Sequence, residues 1–163
     1  MIRKINNHKI FKVLEAGSNE QLKNVRRIFK DYSNYLNIDL EFQDFEEELN
    51  NLPGEYKPPL GCILLAFYNN TLIGCVALRK FEEKICEMKR LYVKPQFRSR
   101  GFGKNLAKAI INKAIKIGYK SMRLDTLPFM KEAISLYKSL GFKEMKPYRY
   151  NPFKGAKFFE LEL

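Results

Sequence analysis

Apolar residues recur at helical spacing in four stretches of the chain. The first starts after Ser18, which forms a capping box with Gln21 three positions later. The second covers residues 43–50 and stops at a proline–glycine pair, and the third is an amphipathic stretch over residues 104–117. The fourth begins at Pro128, a residue type suited to the first turn of a helix. The pattern therefore predicts four helices.

Shorter apolar runs predict β-strands, and three of them follow one another through short turns, as in an antiparallel meander. The predicted strands cover residues 10–15, 61–68, 72–81, 85–93, 121–126, 142–146 and 157–163. The order is strand, two helices, three strands, helix, strand, helix and two strands. We therefore expect the α/β (α+β) class, with a mixed, mostly antiparallel central sheet of about six to seven strands flanked by about four helices.

The composition agrees with one folded unit. The chain has 163 residues, of which 45% are hydrophobic. It contains no linker rich in glycine and serine, so we expect a single domain over residues 1–163. No apolar run reaches the roughly 18 residues that span a bilayer, and the N-terminus lacks the apolar stretch of a secretory signal. We therefore expect a cytoplasmic protein with no membrane partner.

The cysteine and histidine content argues against metal and nucleophile sites. The three cysteines, Cys62, Cys75 and Cys86, form no CxxC pair, and His8 is the only histidine. This leaves little for a zinc site, so we expect no metal. One histidine in a basic N-terminal segment cannot build a Ser-His-Asp triad, and without an adjacent histidine Cys86 is interpreted as a packed, reduced thiol.

Positive charge is concentrated in the second part of the chain. The sequence has 30 Lys and Arg against 18 Asp and Glu, a net charge of +12. Residues 61–163 hold 21 of the basic and 8 of the acidic residues, and residues 89–120 hold ten basic residues and no acidic one. This bias favours an anionic partner, such as a phosphorylated cofactor, a nucleic acid or an acidic surface. Solvated lysine-rich helix faces would give the same count.

The most informative segment joins the strand over residues 85–93 to the third helix. Its centre reads Arg98-Ser99-Arg100-Gly101-Phe102-Gly103. Glycine lets the backbone approach a ligand closely, and the first turn of a helix offers unpaired N–H groups and a partial positive charge. Together these features favour a diphosphate group, although such a loop is weak evidence when it stands alone.

This segment resembles motif A of the GNAT superfamily of acyl-CoA-dependent acetyltransferases, R/Q-x-x-G-x-G/A, through Arg98, Gly101 and Gly103. Residues 133–142, with the sequence AISLYKSLGF, resemble the family's motif B, which commonly reads A-x-x-L-Y-x-x-x-G-F. Two motifs in the right order, about 30 residues apart, form a strong joint signal. The order of the predicted elements also agrees with the fold of that family.

The resemblance implies an acetyl-CoA-dependent N-acetyltransferase, in which a primary amine attacks the thioester directly in a ternary complex. In the family, backbone amides of the glycine-rich turn hold the CoA diphosphate, and the strand before the turn splays from its neighbour to take the pantetheine arm. An amide of that strand would also stabilise charge on the thioester oxygen. The residues expected to bind acetyl-CoA are Leu91, Tyr92, Val93, Arg98, Ser99, Arg100, Gly101, Phe102, Gly103 and Lys104.

Two residues are candidates for the proton transfers. Tyr137 matches the motif B tyrosine that faces the departing CoA sulfur, although it also lies on the apolar stripe of its helix. Glu87 is the only carboxylate between Lys84 and Lys120, and two-residue alternation places it on the same sheet face as Leu91. Glu87 could deprotonate the amine directly or through water, or it could be a charge partner for neighbouring cations.

The family builds its acceptor pocket from the first two helices, their loop and the final strands. Tyr56 and Tyr148 lie in stiff aromatic segments at these places, which suit either a pocket rim or an exposed turn. Arg79 could bind a carboxylate of the acceptor. The acidic residues within 41–48 could favour cationic acceptors, but a solvated helix face is the preferred interpretation. The expected partner is a small-molecule or peptide amine.

Two other functions stay open. A basic nucleic-acid-binding module would use the charge of residues 61–163, but no nucleic-acid signature accompanies that charge, so nucleic acid is the less favoured partner. A non-catalytic acyl-CoA sensor would keep the turn without the chemistry, and the presence of Glu87 and Tyr137 speaks against it. Dimers are common in the family, so a homodimer is also an open possibility.

Overall fold

A sheet of eight strands organises the structure, a computed structural model that describes residues 2–5, 9–41 and 44–163. The strands are β1 (Ile2–Ile5), β2 (Lys9–Glu15), β3 (Cys62–Tyr68), β4 (Thr71–Lys80), β5 (Ile85–Val93), β6 (Ser121–Thr126), β7 (Lys143–Met145) and β8 (Lys157–Glu162). Their order across the sheet is β1-β2-β3-β4-β5-β6-β8-β7, and β5–β6 is the one parallel pair in the described part of the chain. The predicted mixed, mostly antiparallel sheet is confirmed. The additional strand is β1, which is too short and too charged to stand out in the sequence.

Each predicted stretch contains a helix, although the third helix begins at Phe102, two residues before the predicted start. They are α1 (Asn19–Leu36), α2 (Phe45–Asn50), α3 (Phe102–Ile117) and α4 (Lys131–Ser139), with single 3-10 turns at Gly54–Tyr56 and Pro95–Phe97. The predicted capping box of α1 is present. Pro128 does not begin α4, because the residues before Lys131 form a separate turn closed by the Met130 N–H and the Leu127 carbonyl. His8 and Gln43 lie outside the described residues.

The two faces of the sheet are covered by different helices. The buried side chains of α3 and Tyr137 of α4 pack on one face, together with Met88 of β5. The buried side chains of α1 and α2 pack on the other face, together with Ala77 and Tyr92. Each face therefore has its own apolar core. None of the helices in the described ranges has the length and apolar character needed to cross a bilayer.

A bulge at Arg90 changes which side chains of β5 share a face. Arg90 has a φ of 60°, and the register with β4 moves from Ala77–Lys89 to Cys75–Tyr92, which leaves one extra residue on β5. Leu91 therefore packs with the α3 core, although the residues before the bulge follow the other alternation. The prediction that Glu87 and Leu91 share a face is wrong, since strict alternation ends at this bulge.

Candidate active site

The parallel strands β5 and β6 separate halfway along β5. Their pairing covers three residue pairs and ends at Glu87–Arg123, although β5 continues to Val93. Beyond Glu87, the main chain of β5 on this side has no strand partner among the described residues. Backbone N–H and C=O groups without a ladder partner are available to a ligand that runs along the strand. The geometry matches the splay implied by the family resemblance.

The glycine-rich turn lies at the end of this opening. Gly101 is the residue before α3 and has a φ of 82°, in the left-handed region that glycine tolerates and other residues rarely adopt. Ser99, with a φ of 59°, completes the turn. No side chain caps the N-terminus of α3, so its first N–H groups point out of the helix without a side-chain partner. Such a terminus favours an anion.

A cavity of about 600 Å³ opens beside the turn and the unpaired part of β5. Nine of the ten residues predicted to bind the cofactor line it, namely Leu91, Tyr92, Val93, Arg98, Ser99, Gly101, Phe102, Gly103 and Lys104. Arg100 is the exception. Its guanidinium lies over the Tyr68 ring, 4.5 Å from the ring centroid, so its side chain is committed elsewhere.

Arg98, the arginine of motif A, fastens the turn to β5. Its Nε donates to the Val93 carbonyl at 2.8 Å, and its guanidinium lies 4.0 Å from the centroid of the Tyr35 ring. Tyr35 is half exposed and also lines the cavity. The side chain of Arg98 therefore orders the turn and one wall of the cavity at once.

Tyr137 faces a narrow passage of about 40 Å³ that begins next to this cavity. Its ring contacts Phe142 and Phe159 and is only 7% exposed, and burial raises its pKa above the ordinary value for tyrosine. No described residue makes a hydrogen bond to its hydroxyl. The hydroxyl thus stays protonated at neutral pH and is able to donate a hydrogen bond into the passage.

The passage leads to a larger polar cavity of about 780 Å³ between β4, β5 and the segment after α2. Leu91 lines both the first cavity and the passage, and Lys89, Arg90 and Asp125 line both the passage and the polar cavity. Through these shared residues the three cavities adjoin one another along β5, from the glycine-rich turn to the polar cavity. The bulge at Arg90 sets this order, because it directs Leu91 and Lys89 to opposite sheet faces.

Buried charges surround the junction of the passage and the polar cavity. Lys89 Nζ lies 3.9 Å from a carboxylate oxygen of Asp125, and burial lowers the Lys89 pKa to about 8. Arg90 is held by Glu48 of α2, with 3.0 Å between Nε and the carboxylate. The acidic stretch of residues 41–48, interpreted from the sequence as a solvated face, thus turns one carboxylate inward.

Glu87 is enclosed rather than open to the polar cavity. Its carboxylate is 0% exposed and accepts hydrogen bonds from Arg79 Nε at 2.8 Å and from the Tyr148 hydroxyl at 2.7 Å, while Arg149 Nη1 lies 3.3 Å away. Burial works to raise the Glu87 pKa, but Lys89, Arg79, Arg149 and the Tyr148 hydrogen bond outweigh it, and the pKa lies below the ordinary value. Glu87 is thus a charge partner of Arg79 in this structure, and its carboxylate does not line the polar cavity.

Two residues predicted for the acceptor side, Arg79 and Tyr56, line the polar cavity, but their polar groups already bind other side chains. Arg79 contacts Glu87 through Nε and Nη2 and Glu55 through Nη1, which uses all three guanidinium nitrogens. Tyr56 is buried, lines the polar cavity and donates its hydroxyl proton to Glu48 at 2.5 Å. Neither is an exposed turn residue, and neither offers a group without a partner.

Five residues of the site were not among the sequence predictions. They are Glu48, Lys89, Arg90, Asp125 and Arg149. Lys89 and Arg90 had a signal as part of the basic stretch before the glycine-rich turn, Glu48 as one of the acidic residues within 41–48, and Arg149 as a neighbour of Tyr148 in the aromatic segment. Asp125 had none, and only the fold brings Glu48, Asp125 and Arg149 to β5.

The three cysteines behave as packed thiols. All are free and buried, and burial raises the pKa of Cys86 and of Cys62 to about 12. Cys86 packs in the α3 core, on the face opposite Glu87. Within the described ranges, no group of three or more His, Cys, Asp or Glu side chains is placed to hold a metal ion.

Replacing Glu87 with glutamine is expected to lower the free energy of unfolding by about 3 kcal/mol, because it leaves buried arginine charge without its partner. The Glu87 pKa is lowered in the folded protein. The stabilisation by Glu87 is therefore fully present at pH values above the pKa of a glutamate in the unfolded chain, which is about 4.3. It is lost as the pH falls through the lower pKa of the folded state. Urea denaturation of both proteins at pH 7 and pH 3.5 measures the difference and its decrease.

The matched control is Glu144→Gln, which removes a carboxylate from a surface pair with Lys157. Exposed pairs contribute little, so the midpoint of this variant should match that of the wild type. Equal midpoints of Glu87→Gln and wild type at pH 7 would show that the enclosed carboxylate does not stabilise the fold.

Comparison with known proteins agrees with this geometry. The model of the acetyltransferase (GNAT) family matches residues 22–142. A Schizosaccharomyces pombe protein named as an uncharacterized N-acetyltransferase is 40% identical over 146 residues, which cover 88% of this chain and 90% of that protein. The chain belongs to the acetyltransferase (GNAT) family, and its enzyme class is N-acetyltransferase.

Solved structures share the fold. A GNAT-family acetyltransferase from Staphylococcus aureus superposes with a TM-score of 0.78 over 93% of this chain and 98% of that chain, at 20% identity. The acetyltransferase yncA from Salmonella typhimurium, solved with its cofactor acetyl-CoA, superposes with a TM-score of 0.66 over 93% of both chains, at 18% identity. At these identities the likeness concerns the fold.

Proposed function

We propose that the chain transfers the acetyl group of acetyl-CoA to a primary amine, with both substrates bound at once and the amine attacking the thioester directly. The observation that carries the proposal is the row of three adjoining cavities along β5, with the glycine-rich turn at one end and the polar cavity at the other. An amine bound in the polar cavity could then attack a thioester held in the passage while both substrates stay bound.

The glycine-rich turn would hold the diphosphate of the co-substrate. The first N–H groups of α3 supply donors, and the positive φ of Gly101 turns them toward the cavity. Lys104 adds a positive charge at the cavity wall. A Cβ at Gly103 would make only ordinary contacts with Val93 and Leu136, so in this fold glycine is needed there only when a ligand approaches the backbone.

The unpaired part of β5 would bind the pantetheine arm through its main chain. Bound acetyl-CoA supplies the activated acyl thioester. The β5 backbone beyond Glu87 would pair with the amides of the arm as a strand would, and an N–H near Leu91 would donate to the thioester oxygen as charge develops there. Tyr137 would donate a hydrogen bond or its proton to the departing thiolate, and because burial keeps its hydroxyl protonated, the hydrogen bond is available from the start of the reaction.

Glu87 would act on the amine only through a relay. Among the described groups that bond to its carboxylate, the Tyr148 hydroxyl is the one that can both accept and donate a proton. A proton arriving at the Tyr148 oxygen can therefore be matched by one passing to Glu87. Tyr56 and Arg79, which line the polar cavity, are proposed to shape the acceptor site, with Arg79 acting through Glu87 and Glu55 rather than by free donors. Tyr148 does not line the cavity and is proposed to act on the acceptor side through its hydrogen bond to Glu87.

The remaining expectations stay predictions. We propose that residues 1–163 act as one domain, that the acceptor is a small-molecule or peptide amine, and that the protein is cytoplasmic, for which three free, buried thiols give support. A homodimer and the absence of a metal are also predictions.

Direct attack predicts that Cys86 is dispensable. The Cys86→Ala variant should keep kcat within about twofold of wild type, because the thiol is buried, its pKa is raised to about 12 and no general base lies beside it. Initial rates at several concentrations of both substrates should give intersecting double-reciprocal lines. Parallel lines together with an inactive Cys86→Ala protein would instead show a covalent acetyl-cysteine route.

The proposed function is tested by measuring thiol release from acetyl-CoA across a library of primary amines. We expect at least one amine to be acetylated, with product confirmed by mass spectrometry. Thermal stabilisation by CoA without turnover of any amine would favour the acyl-CoA sensor. Salt-sensitive binding to DNA or RNA without stabilisation by CoA would favour the nucleic-acid module.

A further inference from the structure

Arg149 differs from the other arginines of the polar cavity in how it is held. It lies in the segment between β7 and β8, lines the cavity, and its side chain is 26% exposed. Its one ion-pair partner in the described part of the chain is Glu87, at 3.3 Å through Nη1. Arg79 and Arg90 contact their carboxylates at 2.7 and 3.0 Å.

The charges enclosed around the cavity do not balance. Three cations have a close carboxylate each: Arg79 with Glu87, Lys89 with Asp125, and Arg90 with Glu48. Arg149 is the fourth cation, and it shares Glu87 with Arg79. The next carboxylate in the cluster, Glu55, is 75% exposed, so water screens it strongly. Among these enclosed groups, cations therefore outnumber carboxylates by one, while the exposed side chains of Asp44, Glu47 and Lys80 complete the charged lining.

Arg149 is also the arginine best placed to bind an added anion. Arg79 already uses all three of its guanidinium nitrogens on Glu87 and Glu55. Arg149 has Nε and Nη2 left for a second partner, and the planar guanidinium fork matches a carboxylate. Arg149 thus provides both the surplus charge and the free donors.

We propose that the acceptor amine carries a carboxylate and that Arg149 binds this carboxylate, so the substrate class is the amino carboxylates. The inference rests on the proposed function and specifies its acceptor. It also moves the carboxylate-binding role expected of Arg79 to Arg149. The ammonium end of the substrate then faces the junction at Lys89 and Asp125, where the passage opens.

The test compares amino acids with the amines that lack their carboxylate, for example tyrosine with tyramine and lysine with cadaverine. For the best acceptor pair, wild-type kcat/KM should favour the amino acid. In Arg149→Met this preference should fall about 30-fold, the loss expected for hydrogen bonds to a charged group. Arg149→Lys, which keeps the charge without the fork, should retain an intermediate preference.

Arg27→Met is the control, because Arg27 is an exposed arginine that bonds to Asn24 and does not line the cavity. It should leave the preference unchanged. Two results would overturn the inference: a wild-type preference for the decarboxylated amines, or an Arg149→Met protein that keeps the wild-type preference. In either case, measurable transfer to amines would still support the proposed function. Circular dichroism confirms that each variant is folded.

A binding measurement keeps the inference testable if no amine is acetylated. The same compounds are titrated calorimetrically into protein saturated with coenzyme A. Binding of amino acids by wild type that is weakened about 30-fold in Arg149→Met supports the subsite even without turnover. Absence of any binding, or binding equal in the two proteins, rejects it.

Discussion

Replacing Gly101 with glutamate is expected to abolish detectable binding of coenzyme A, a loss of at least about 100-fold in affinity. Two effects act together. Gly101 has a φ of 82°, which strains any residue with a Cβ. The new carboxylate would also stand at the uncapped N-terminus of α3, where it competes with the diphosphate for the same N–H groups. Isothermal titration of coenzyme A into each protein measures the loss.

The matched control is Gly118→Glu at the other end of α3. Gly118 has a φ of 107°, and like Gly101 it has open space where a Cβ would lie. The backbone strain is therefore comparable, but the site is about a helix length from the turn. Gly118→Glu should bind coenzyme A within about threefold of wild type. Equal affinities of the Gly101→Glu and wild-type proteins would remove the diphosphate from this turn.

Replacing Tyr137 with phenylalanine is expected to lower kcat about 100-fold and to change the affinity for coenzyme A less than twofold. The ring and its contacts with Phe142 and Phe159 are kept, so packing is preserved. What is lost is the hydroxyl that no described residue engages. The departing thiolate then loses the hydroxyl that is proposed to donate to it. Steady-state kinetics with a saturating acceptor measures kcat, and calorimetry measures the affinity.

Tyr119→Phe is the control for this prediction. Tyr119 is also buried, but its hydroxyl donates to the Leu60 carbonyl, away from the passage. This variant should lose some stability, because the carbonyl loses its partner, and keep its kcat. If Tyr137→Phe turned over at the wild-type rate, Tyr137 would be a packing residue, as its position on the apolar stripe of its helix also suggests.

The part of the site near the glycine-rich turn could be predicted because it is local in sequence. A strand, a turn with two glycines and an amphipathic helix follow one another within about 30 residues, and each leaves its own pattern. The order of elements then places β5 beside β6, and nine of the ten expected cofactor residues line one cavity. Arg100 does not line this cavity, because its guanidinium lies over the Tyr68 ring, a contact that the sequence does not reveal.

The acceptor side could not be predicted because it is made by contacts between distant segments. Arg149 reaches Glu87 across 62 positions of the chain, and Glu48 reaches Arg90 across 42. An acidic helix of six residues looks like a solvated face until the fold turns one of its carboxylates inward. Such pairs carry no periodicity, so pattern alone cannot find them.

The bulge at Arg90 is the other feature that sequence patterns miss. Alternation assigned Glu87 and Leu91 to one face, and one extra residue reverses that assignment. A positive φ at an arginine has no sequence signal comparable to that of a glycine. Yet this residue directs Leu91 toward the proposed pantetheine site and leaves Lys89 at the acceptor cavity, so it connects the two halves of the site.

A crystal structure of the protein soaked with coenzyme A tests the central claim most directly. We predict density for the diphosphate at the N-terminus of α3, within hydrogen-bond distance of the N–H groups after Gly101, and for the pantetheine arm between β5 and β6 beyond Glu87. The thiol should end near the Tyr137 hydroxyl. Coenzyme A bound elsewhere, with β5 and β6 closed on each other beyond Glu87, would contradict the account.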